Sequence, residues 1–579
     1  MSTIRKIGEK IKSGFRFNTL SFLFILVYIN FFTFLFGQEN SIVAVIFTIM
    51  MSASMVRDLT ATPVRHLCIQ SLVLVWMALA AFWVNTLPVP LAFIIHFITL
   101  LLILYSFTYE YSSNMYFPYI LSYLFLIFLA PISAQQLPKR IWGMLFGAAS
   151  ILLYQWFMGR NRVAETARDV LCEMTDEIRN YIAFRLKEQS EPPRPSGIRS
   201  KLYSLSRTIY DRRKKALCIS DAGFSMFSAG CSFEHLLFLL HELPERLSGE
   251  EEQLLAGMSD CLEKYQAFLR QESGELPPPS CSSLSGAEGE HTQALTECLN
   301  NIYASLCHMT DPQEKKHYHR TLLSLKLQLT AVLDISPVRI VYALRTALLL
   351  ACATLLVQQL ALPHGKWLLF TLASLSLPYA DDVPAKTKKR ISATLIGGLV
   401  SVIIYSLVPS ATGRTAAMML SGYLSFYFTD YAGTFACSTI GALGGAVFMN
   451  AFGFWQVGNI FIIRLGYILA GAALGLIANC YIIPYSRSMA TRHLLTKYQT
   501  LTELLTRICS ADYVDTQLYY SLVIQAHLQE EKLASNAYLE DWAEVPDILA
   551  KCREKVHNAH RMRIEERMDA PVFEAGHLV

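Results

Sequence analysis

The stretch KWLLFTLASLSLPYADDVPAKTKKRISATLIGGLVSVIIYSLVP, residues 366–409, carries the pattern that decides the fold. An apolar run ends at a short loop that contains Asp381, Asp382 and Pro384, and four cations between Lys386 and Arg390 open a second apolar run. Long apolar runs joined by a short charged loop are typical of membrane helices. The stretch therefore predicts a hairpin of two membrane-spanning helices.

The composition of the whole chain agrees with a membrane protein. Of its 579 residues 53% are hydrophobic and 17% are charged, whereas soluble proteins are about 25% charged. A net charge of +4, spread along the chain, argues against a nucleic-acid partner. The thirteen cysteines show no paired CxxC spacing and are expected to be reduced thiols. The sequence lacks the P-loop, GxGxxG and HExxH patterns, so we expect no cofactor, no metal site and no enzyme activity.

Apolar and polar segments alternate in blocks along the chain. The pattern predicts an all-α polytopic membrane protein with a basic lead-in at 1–18, a first six-span block at 19–159, a helical domain at 160–336, a second six-span block at 337–485 and a helical tail at 486–579. The expected spans are 19–36, 41–56, 66–87, 90–108, 116–133 and 140–158, then 338–360, 366–379, 388–408, 415–429, 432–450 and 457–483.

The two membrane blocks show signs of an internal duplication. Residues 47–66 align without a gap on residues 370–389, so that Asp58 falls on Asp381 and Arg65 falls on Lys388. Each block has six expected spans, and an even number of spans returns the chain to the side from which it entered. The sequence therefore predicts two parallel repeats rather than an inverted pair.

The distribution of basic residues predicts the orientation. Lys and Arg are concentrated in the lead-in, in 57–65, in 380–390 and in the two polar helical segments, whereas the loops 37–40, 85–89, 361–365 and 409–414 carry few cations. Short loops rich in Lys and Arg stay on the cytoplasmic side. Both termini and both helical domains are therefore expected in the cytoplasm.

Polar side chains inside spans are costly and are candidates for function. Arg345 and Arg464 lie well inside their spans and are suited to attracting an anion, and His96 is suited to a proton relay. Asn30 is a candidate for lining a cavity. For each residue the alternative is structural, as an ion pair or hydrogen bond between helices.

The charged hairpins have two interpretations. In the first, Asp58, Asp381 and Asp382 cap the following helix or form structural ion pairs. In the second, they are gating or proton-linked acids that pair with Arg65, Lys388 or Arg390. The recurrence of the Asp in both copies favours a functional part. Gly397 and Gly398 are small positions expected at close helix contacts.

The second block contains a recognisable motif: Trp367 precedes the run LLFTLASLSLP, and Arg390-x-x-x-Thr394-x-x-Gly397 follows the hairpin. This resembles the fusaric acid resistance (FUSC) family, which includes the aromatic acid exporters and has the pattern R-x-x-G-T-x-x-G; Ala393 stands in place of the first Gly. The resemblance implies a bacterial inner-membrane protein that exports small organic anions, often aromatic carboxylic acids, with proton coupling. It also implies candidate partners beyond substrate and lipid, namely a homo-oligomer and a membrane fusion protein.

Three functions therefore stand as hypotheses. The first is a proton-driven exporter of organic acids, which would use Arg345, Arg464 and His96. The second is a passive organic-anion channel, since the plant malate channels look distantly similar. The third is a membrane-anchored scaffold that binds partners through residues 160–336.

Overall fold

The computed structural model consists of α-helices joined by short 3-10, π and extended segments. It describes residues 2–54, 63–108, 115–159, 162–186, 197–211, 221–244, 246–279, 290–310, 336–408, 410–428, 430–447, 454–509 and 516–569. Its backbone forms two compact units. The first unit comprises Met1–Val56, Pro63–Tyr154 and Ser336–Ala490, and the second comprises Arg57–Thr62, Gln155–Ile335 and Thr491–Val579.

The first unit contains both apolar blocks of the sequence. The first block supplies α1 (Ser2–Phe36), α2 (Ser41–Ser54), α3 (Pro63–Thr86), α4 (Val89–Phe107), α5 (Tyr116–Phe128) and α6 (Leu137–Gly159). The numbers α7 to α11 are kept for the polar helices between the two blocks, whose bounds are given below. The second block supplies α12 (Pro337–Gln359), α13 (Lys366–Leu375), α14 (Val383–Leu407), α15 (Ala411–Ser425), α16 (Tyr431–Val447) and α17 (Phe454–Ile477). The lead-in expected at 1–18 is continuous with the first span, since both belong to α1.

Seven helices in the described part of the chain are long and apolar enough to cross a membrane. Six of them belong to the first unit: α1, α3, α4, α12, α14 and α17. The chain is therefore a multi-pass membrane protein. The seventh, Ala222–Glu242, has a mean hydropathy of 1.3, the lowest of the seven. It packs against neighbouring helices of the second unit and buries Phe233, Leu236 and Leu240 completely, so core packing accounts for its apolar character.

One expected span is only half a span. Helix α13 has ten residues, which at 1.5 Å per residue cover about half of the roughly 30 Å hydrocarbon core. It ends at Ser376 in extended backbone, because Pro378 follows and disfavours helix in the residue before it. A 3-10 turn, Ala380–Asp382, then leads into α14.

A second break faces the first. Helix α17 passes into a π-helical turn, Ala478–Ile482, and ends before Pro484. The amide of Ala380 donates a hydrogen bond to the carbonyl of Tyr485 at 2.9 Å, which joins the two breaks. Non-helical backbone of this kind is tolerated at membrane depth only where protein groups satisfy it.

The two apolar blocks pack against each other within the first unit. Helix α4 of the first block contacts α12 of the second along its length, and α5 contacts α13. The rings of Tyr116 and Tyr342 lie 4.8 Å apart, and those of Phe125 and Phe370 lie 5.0 Å apart. The membrane core is therefore a single assembly of helices from both blocks.

The second unit combines the polar insert with the polar tail. Its helices are α7 (Arg162–Arg185), α8 (Ile198–Asp211), α9 (Asp221–Glu242), α10 (Gly249–Leu269), α11 (Glu290–Thr310), α18 (Arg487–Cys509, which begins in the first unit), α19 (Thr516–Glu540) and α20 (Glu544–Asp569). The sequence divides these segments into two domains, but their packing places them in one unit. The further insert helix expected at 312–334 lies outside the described residues.

A polar network joins insert and tail. Arg199 of α8 forms ion pairs with Glu530, at 3.0 Å, and with Glu531, both on α19. Glu530 also pairs with Arg553 of α20 and accepts a hydrogen bond from the hydroxyl of Tyr498 at 3.2 Å. Glu530 thus connects four helices, three of which come from the tail.

Candidate functional site

Three basic side chains line one part of the second block. Lys386 and Arg390 lie four residues apart on α14 and so share a helix face, and Arg464 lies on α17. Arg390 and Arg464 are each only 5% exposed, and Lys386 is half-buried. Helices α14 and α17 contact each other. We call these three residues the cationic ladder.

Each cation of the ladder lies over an aromatic ring. The ammonium of Lys386 is 5.3 Å from the ring centroid of Tyr431, and the guanidinium of Arg390 is 4.1 Å from that of Phe435. The guanidinium of Arg464 is 5.0 Å from the ring of Trp367. A ring face stabilises a positive charge without neutralising it. The rings therefore hold the cations in place and leave their charge available.

Two glycines allow the helices that carry the ladder to approach closely. A Cβ at Gly397 would lie 2.5 Å from the carbonyl oxygen of Ala436 on α16, and a Cβ at Gly398 would lie 1.9 Å from the ring of Phe461 on α17. Phe461 precedes Arg464 by less than one helical turn. Small residues of this kind let helix backbones come together in a membrane, and here they set the spacing of the ladder.

The second block contains few acidic side chains to neutralise the ladder. Residues 336–490 include ten basic and three acidic side chains. Asp381 accepts the backbone N–H of Arg487 at 2.5 Å, and Asp382 pairs with the guanidinium of the same residue at 2.6 Å. Asp430 accepts the backbone N–H of Gly433 at 2.8 Å. All three acids therefore have other partners.

The buried arginines keep free donors. In the part of the chain that the structure describes, Nε and Nη1 of both Arg390 and Arg464 are buried and have no hydrogen-bond partner. Buried polar groups are nearly always paired, and a buried charge normally has a counter-charge or several hydrogen bonds. Unpaired guanidinium nitrogens beside aromatic rings are thus suited to binding a carboxylate.

Arg345 has a different environment. Its side chain is 2% exposed and donates to the carbonyl of Ile483 at 2.9 Å and to the carbonyls of Leu377 and Pro378. These carbonyls belong to the two broken segments that follow α13 and α17. The guanidinium of Arg345 therefore satisfies backbone carbonyl groups in both breaks. Among the described residues, Nε is its one nitrogen without a hydrogen-bond partner.

His96 lies at the contact between the two blocks. It is 2% exposed, and its Nε2 lies 3.0 Å from the hydroxyl of Thr354 on α12, while its Nδ1 lies 3.2 Å from the hydroxyl of Tyr123 on α5. A cavity of about 50 Å³ adjoins it, lined by α3, α4 and α12 and including Gln358. This volume is enough for one or a few water molecules.

The hairpin acids pair differently from the expectation. Neither Asp381 nor Asp382 forms the expected pair with Lys388 or Arg390, and the side chain of Asp382 makes no cap although it precedes α14. Lys388 is exposed, and Arg390 is buried in the ladder. The reason is that the break after α17 brings Arg487 beside both acids.

Two of the other candidate residues, Thr394 and Asn30, make hydrogen bonds within their own helices. The hydroxyl of Thr394 donates to the carbonyl of Arg390 within α14 at 3.0 Å. Asn30 is exposed, and its amide donates to the carbonyl of Leu26 one turn earlier. Asp58 and the side chain of Arg65 lie outside the described residues. No group of three or more His, Cys, Asp or Glu side chains in the described ranges is suited to a metal ion.

Comparison with known proteins identifies the segment that carries the ladder. Residues 350–478 match the family model described as fusaric acid resistance protein-like. Most of the second membrane block is thus similar to this family. This confirms the resemblance seen in the sequence, and the matched range includes Trp367, Lys386, Arg390, Phe435 and Arg464.

A curated relative of the FUSC family also matches. The chain is 28% identical over 89 residues to the inner membrane protein YccS of Escherichia coli (strain K12), and the match spans 15% of this chain and 12% of that relative. No solved structure matches the chain. The match thus supports the membrane assignment over a short part of both proteins.

Sequence reasoning found only part of the ladder. It selected Arg464 as an anion-binding candidate and assigned Arg390 to the hairpin, but it did not select Lys386 or the rings of Tyr431 and Phe435. The spacing of Lys386 and Arg390 on one helix, together with the excess of basic over acidic residues in the block, was the available signal. The contact with α16 and α17 was not readable from the sequence.

Proposed function

We propose that this protein is a secondary transporter that exports small organic anions across the bacterial inner membrane. The observation that carries the proposal is the cationic ladder, in which the buried Arg390 and Arg464 have aromatic neighbours and no acidic partner among the described residues. A membrane site with uncompensated positive charge attracts anions, because the anion restores the charge balance that burial demands.

Aromatic carboxylic acids are the substrate class that this site fits best. A carboxylate accepts hydrogen bonds from guanidinium nitrogens, and an aromatic substrate has ring faces that pack against Trp367 or Phe435. The FUSC family resemblance points to the same class. Arg345 then supports the site from a distance, since its donors are occupied by backbone carbonyls.

Proton coupling is part of the proposal, and His96 is its candidate residue. It lies beside a small cavity at the contact between the blocks, so a change in its protonation would act where the blocks must move relative to each other. The proposed topology has two parallel six-span repeats, with both termini and the second unit in the cytoplasm. The name of the matched relative supports the inner membrane as the location.

The test uses the full-length protein in sealed vesicles loaded with a labelled aromatic acid. A proton gradient imposed at zero membrane potential should drive export against the concentration gradient, and Arg464→Gln should abolish it, with Lys388→Gln as the control that removes an exposed charge. Flux that follows voltage alone and is indifferent to the proton gradient would support the channel instead. If neither flux nor ligand binding is detected with folded protein, the scaffold function is favoured.

A further inference from the structure

A hydroxyl group occupies each nitrogen of the His96 ring. Nε2 lies 3.0 Å from Oγ1 of Thr354 on α12, and Nδ1 lies 3.2 Å from the hydroxyl of Tyr123 on α5. Tyr123 and Thr354 are themselves buried, with exposed fractions of 0% and 2%. Because both ring nitrogens already have a partner, a proton reaches the ring through one of these two hydroxyl groups.

The cavity between α3, α4 and α12 distinguishes the two hydroxyl groups. Among the described residues, its lining includes Thr354 and Gln358 but not Tyr123. Its lining also includes Leu87 and Val89 at the connection between α3 and α4, which are 36% and 41% exposed. The cavity thus extends from that connection to the hydroxyl of Thr354. Its two polar side chains are suited to holding a water molecule there.

We infer that this cavity carries protons to His96 and that Thr354 is the residue that passes them on. The inference rests on the proposed function, in which His96 couples export to the proton gradient, and it specifies how the proton arrives. In neutral His96 the N–H is then on Nδ1 and donates to Tyr123, while Nε2 accepts the hydroxyl proton of Thr354. Tyr123 is therefore a positioning residue that fixes the tautomer.

The transfer conserves protons and bonds. A hydronium ion in the cavity gives a proton to Oγ1 of Thr354, and the hydroxyl proton that Thr354 already carries moves to Nε2 of His96. Water remains in the cavity, Thr354 is a hydroxyl again, and His96 is an imidazolium that donates through both nitrogens. A buried positive charge at the contact between α4 and α12 is costly, so protonation favours opening of that contact.

The charged groups on the helices that pack against α4 have other positions. These helices are α3, α5 and α12. On α12, Arg339 and Arg345 donate to backbone carbonyls. On α3, Arg65 and His66 belong to the first turn, at the end opposite to the connection with α4, and α5 contains no Asp, Glu, Lys or Arg. Among the described residues, Tyr123 is therefore the titratable group in contact with the imidazole.

The test measures two fluxes with the full-length protein in sealed vesicles loaded with labelled benzoate. One is export driven by an imposed proton gradient, and the other is exchange of labelled for unlabelled benzoate at equal pH, which moves no net protons. Thr354→Val replaces the hydroxyl with a methyl group. It should slow gradient-driven export by about tenfold or more and leave exchange close to the rate of the unmodified protein. Thr354→Ser, which keeps the hydroxyl, should support both fluxes.

Filling the cavity tests the route separately from the hydroxyl. Ala351→Val adds two methyl groups to the lining of the cavity, so it should slow gradient-driven export to a similar extent and leave exchange in place. Cys352→Val is the matched control, since Cys352 is the next residue of α12 and is exposed; both fluxes should be unchanged. The two tests remain independent if one of the variants fails to fold.

The outcomes separate this inference from the proposed function. Gradient-driven export at the normal rate in Thr354→Val overturns the part assigned to its hydroxyl, and the same result in Ala351→Val overturns the cavity as the route. Loss of both fluxes in folded Thr354→Val also overturns the inference, because the hydroxyl then serves anion movement. If the unmodified protein shows neither flux, the proposed function fails together with the inference.

Discussion

The guanidinium of Arg464 on α17 lies 5.0 Å from the ring of Trp367 at the start of α13. Trp367 is 5% exposed and also stacks on His364, with ring centroids 4.8 Å apart. The half-span helix α13 is therefore more than a connection. It carries the ring that holds the positive charge of Arg464 inside the membrane.

Replacing this ring tests its part in the site. Trp367→Phe keeps an aromatic face, and Trp367→Leu removes it. A cation–aromatic contact of a desolvated group contributes about 0.5–2 kcal/mol, so we expect Trp367→Leu to weaken anion binding by roughly 2- to 30-fold, and Trp367→Phe to have a smaller effect. Calorimetric titration with an aromatic carboxylate measures the change. Equal losses in the two variants would assign the effect to packing alone.

The glycine contacts of α14 predict a stability difference that depends on what each Cβ meets. Gly398→Ala places its Cβ against the ring of Phe461, and Gly397→Ala places its Cβ against backbone of α16. Overpacking costs about 1–3 kcal/mol, so both variants should unfold at lower temperature. The second substitution Phe461→Leu should restore stability to Gly398→Ala only, because a side chain can be shortened and a backbone carbonyl cannot.

Gly466→Ala on α17 is the matched control for this series. No atom lies within 4 Å of a Cβ at that position, so its melting temperature should equal that of the unmodified protein. A loss of stability in Gly466→Ala as large as that in Gly398→Ala would show that helix propensity or lipid exposure dominates, and the steric argument would then fail.

Arg345→Gln tests whether Arg345 stabilises the backbone of the two breaks or binds the ligand. The substitution leaves carbonyls of the two breaks without their donor, and each unsatisfied buried carbonyl costs about 1–3 kcal/mol. We expect a clear drop in thermal stability, faster exchange of amide hydrogens in 376–380 and 483–486, and anion affinity within about twofold of normal in the folded protein. Unchanged stability with lost affinity would instead place Arg345 in the anion site.

The network around Glu530 predicts that the tail stabilises the insert. Glu530→Gln removes the charge that pairs with Arg199 and Arg553, both of which are partly exposed. Because solvent screens such pairs, we expect a loss of about 1–2 kcal/mol. Hydrogen exchange should become faster in α8 of the insert as well as in α19 and α20. Lys264→Gln, which breaks an exposed pair with Asp260 within α10, is the control that should leave these helices unchanged.

His527 in the tail predicts a pH dependence of the second unit. Burial, and then the positive charges of Arg199 and Arg553, lower the pKa of His527 to about 3. Since the unfolded chain has the ordinary value near 6.5, it binds a proton that the folded unit rejects between these values. Stability is therefore complete above about pH 6.5 and falls as the pH is lowered towards 3.

The measurement follows hydrogen exchange of α19 peptides between pH 7 and pH 5, corrected for the intrinsic exchange rate. The unmodified protein should lose at most about 2 kcal/mol of local stability over this range, and His527→Gln should lose much less. The same pH dependence in both proteins would show that another group in the network titrates.

Several features of the fold follow from the sequence because they depend on local chemistry. Apolar runs predict where the helices of both blocks lie, and the structure has helices long and apolar enough to cross a membrane at 15–36, 66–86, 89–107 and 337–359. The same reasoning overestimated the length of several spans; the expected span 116–133, for example, is a helix of 13 residues, Tyr116–Phe128. The run 366–379 was expected to be a single span, but Pro378 ends helix α13 at Leu375, so apolar composition alone did not reveal the half-span.

The candidate site was only partly predictable. The free-energy cost of burying a charged side chain selected Arg464 and Arg345 equally as candidates, because both are basic residues inside apolar runs. Their neighbours separate them: Arg345 meets the carbonyls of two broken helices, and Arg464 meets a tryptophan ring. These neighbours come from helices distant in the chain, so no spacing within one helix encodes them.

The sequence by itself determined that the chain is a multi-pass helical membrane protein, that its second block resembles the fusaric acid resistance family, and that basic residues outnumber acidic ones there. Only the tertiary structure decided which of those basic residues remain without a counter-charge. The physical reason is that hydropathy and helix breaks are properties of consecutive residues. Charge compensation depends instead on which side chains α14, α16 and α17 bring together.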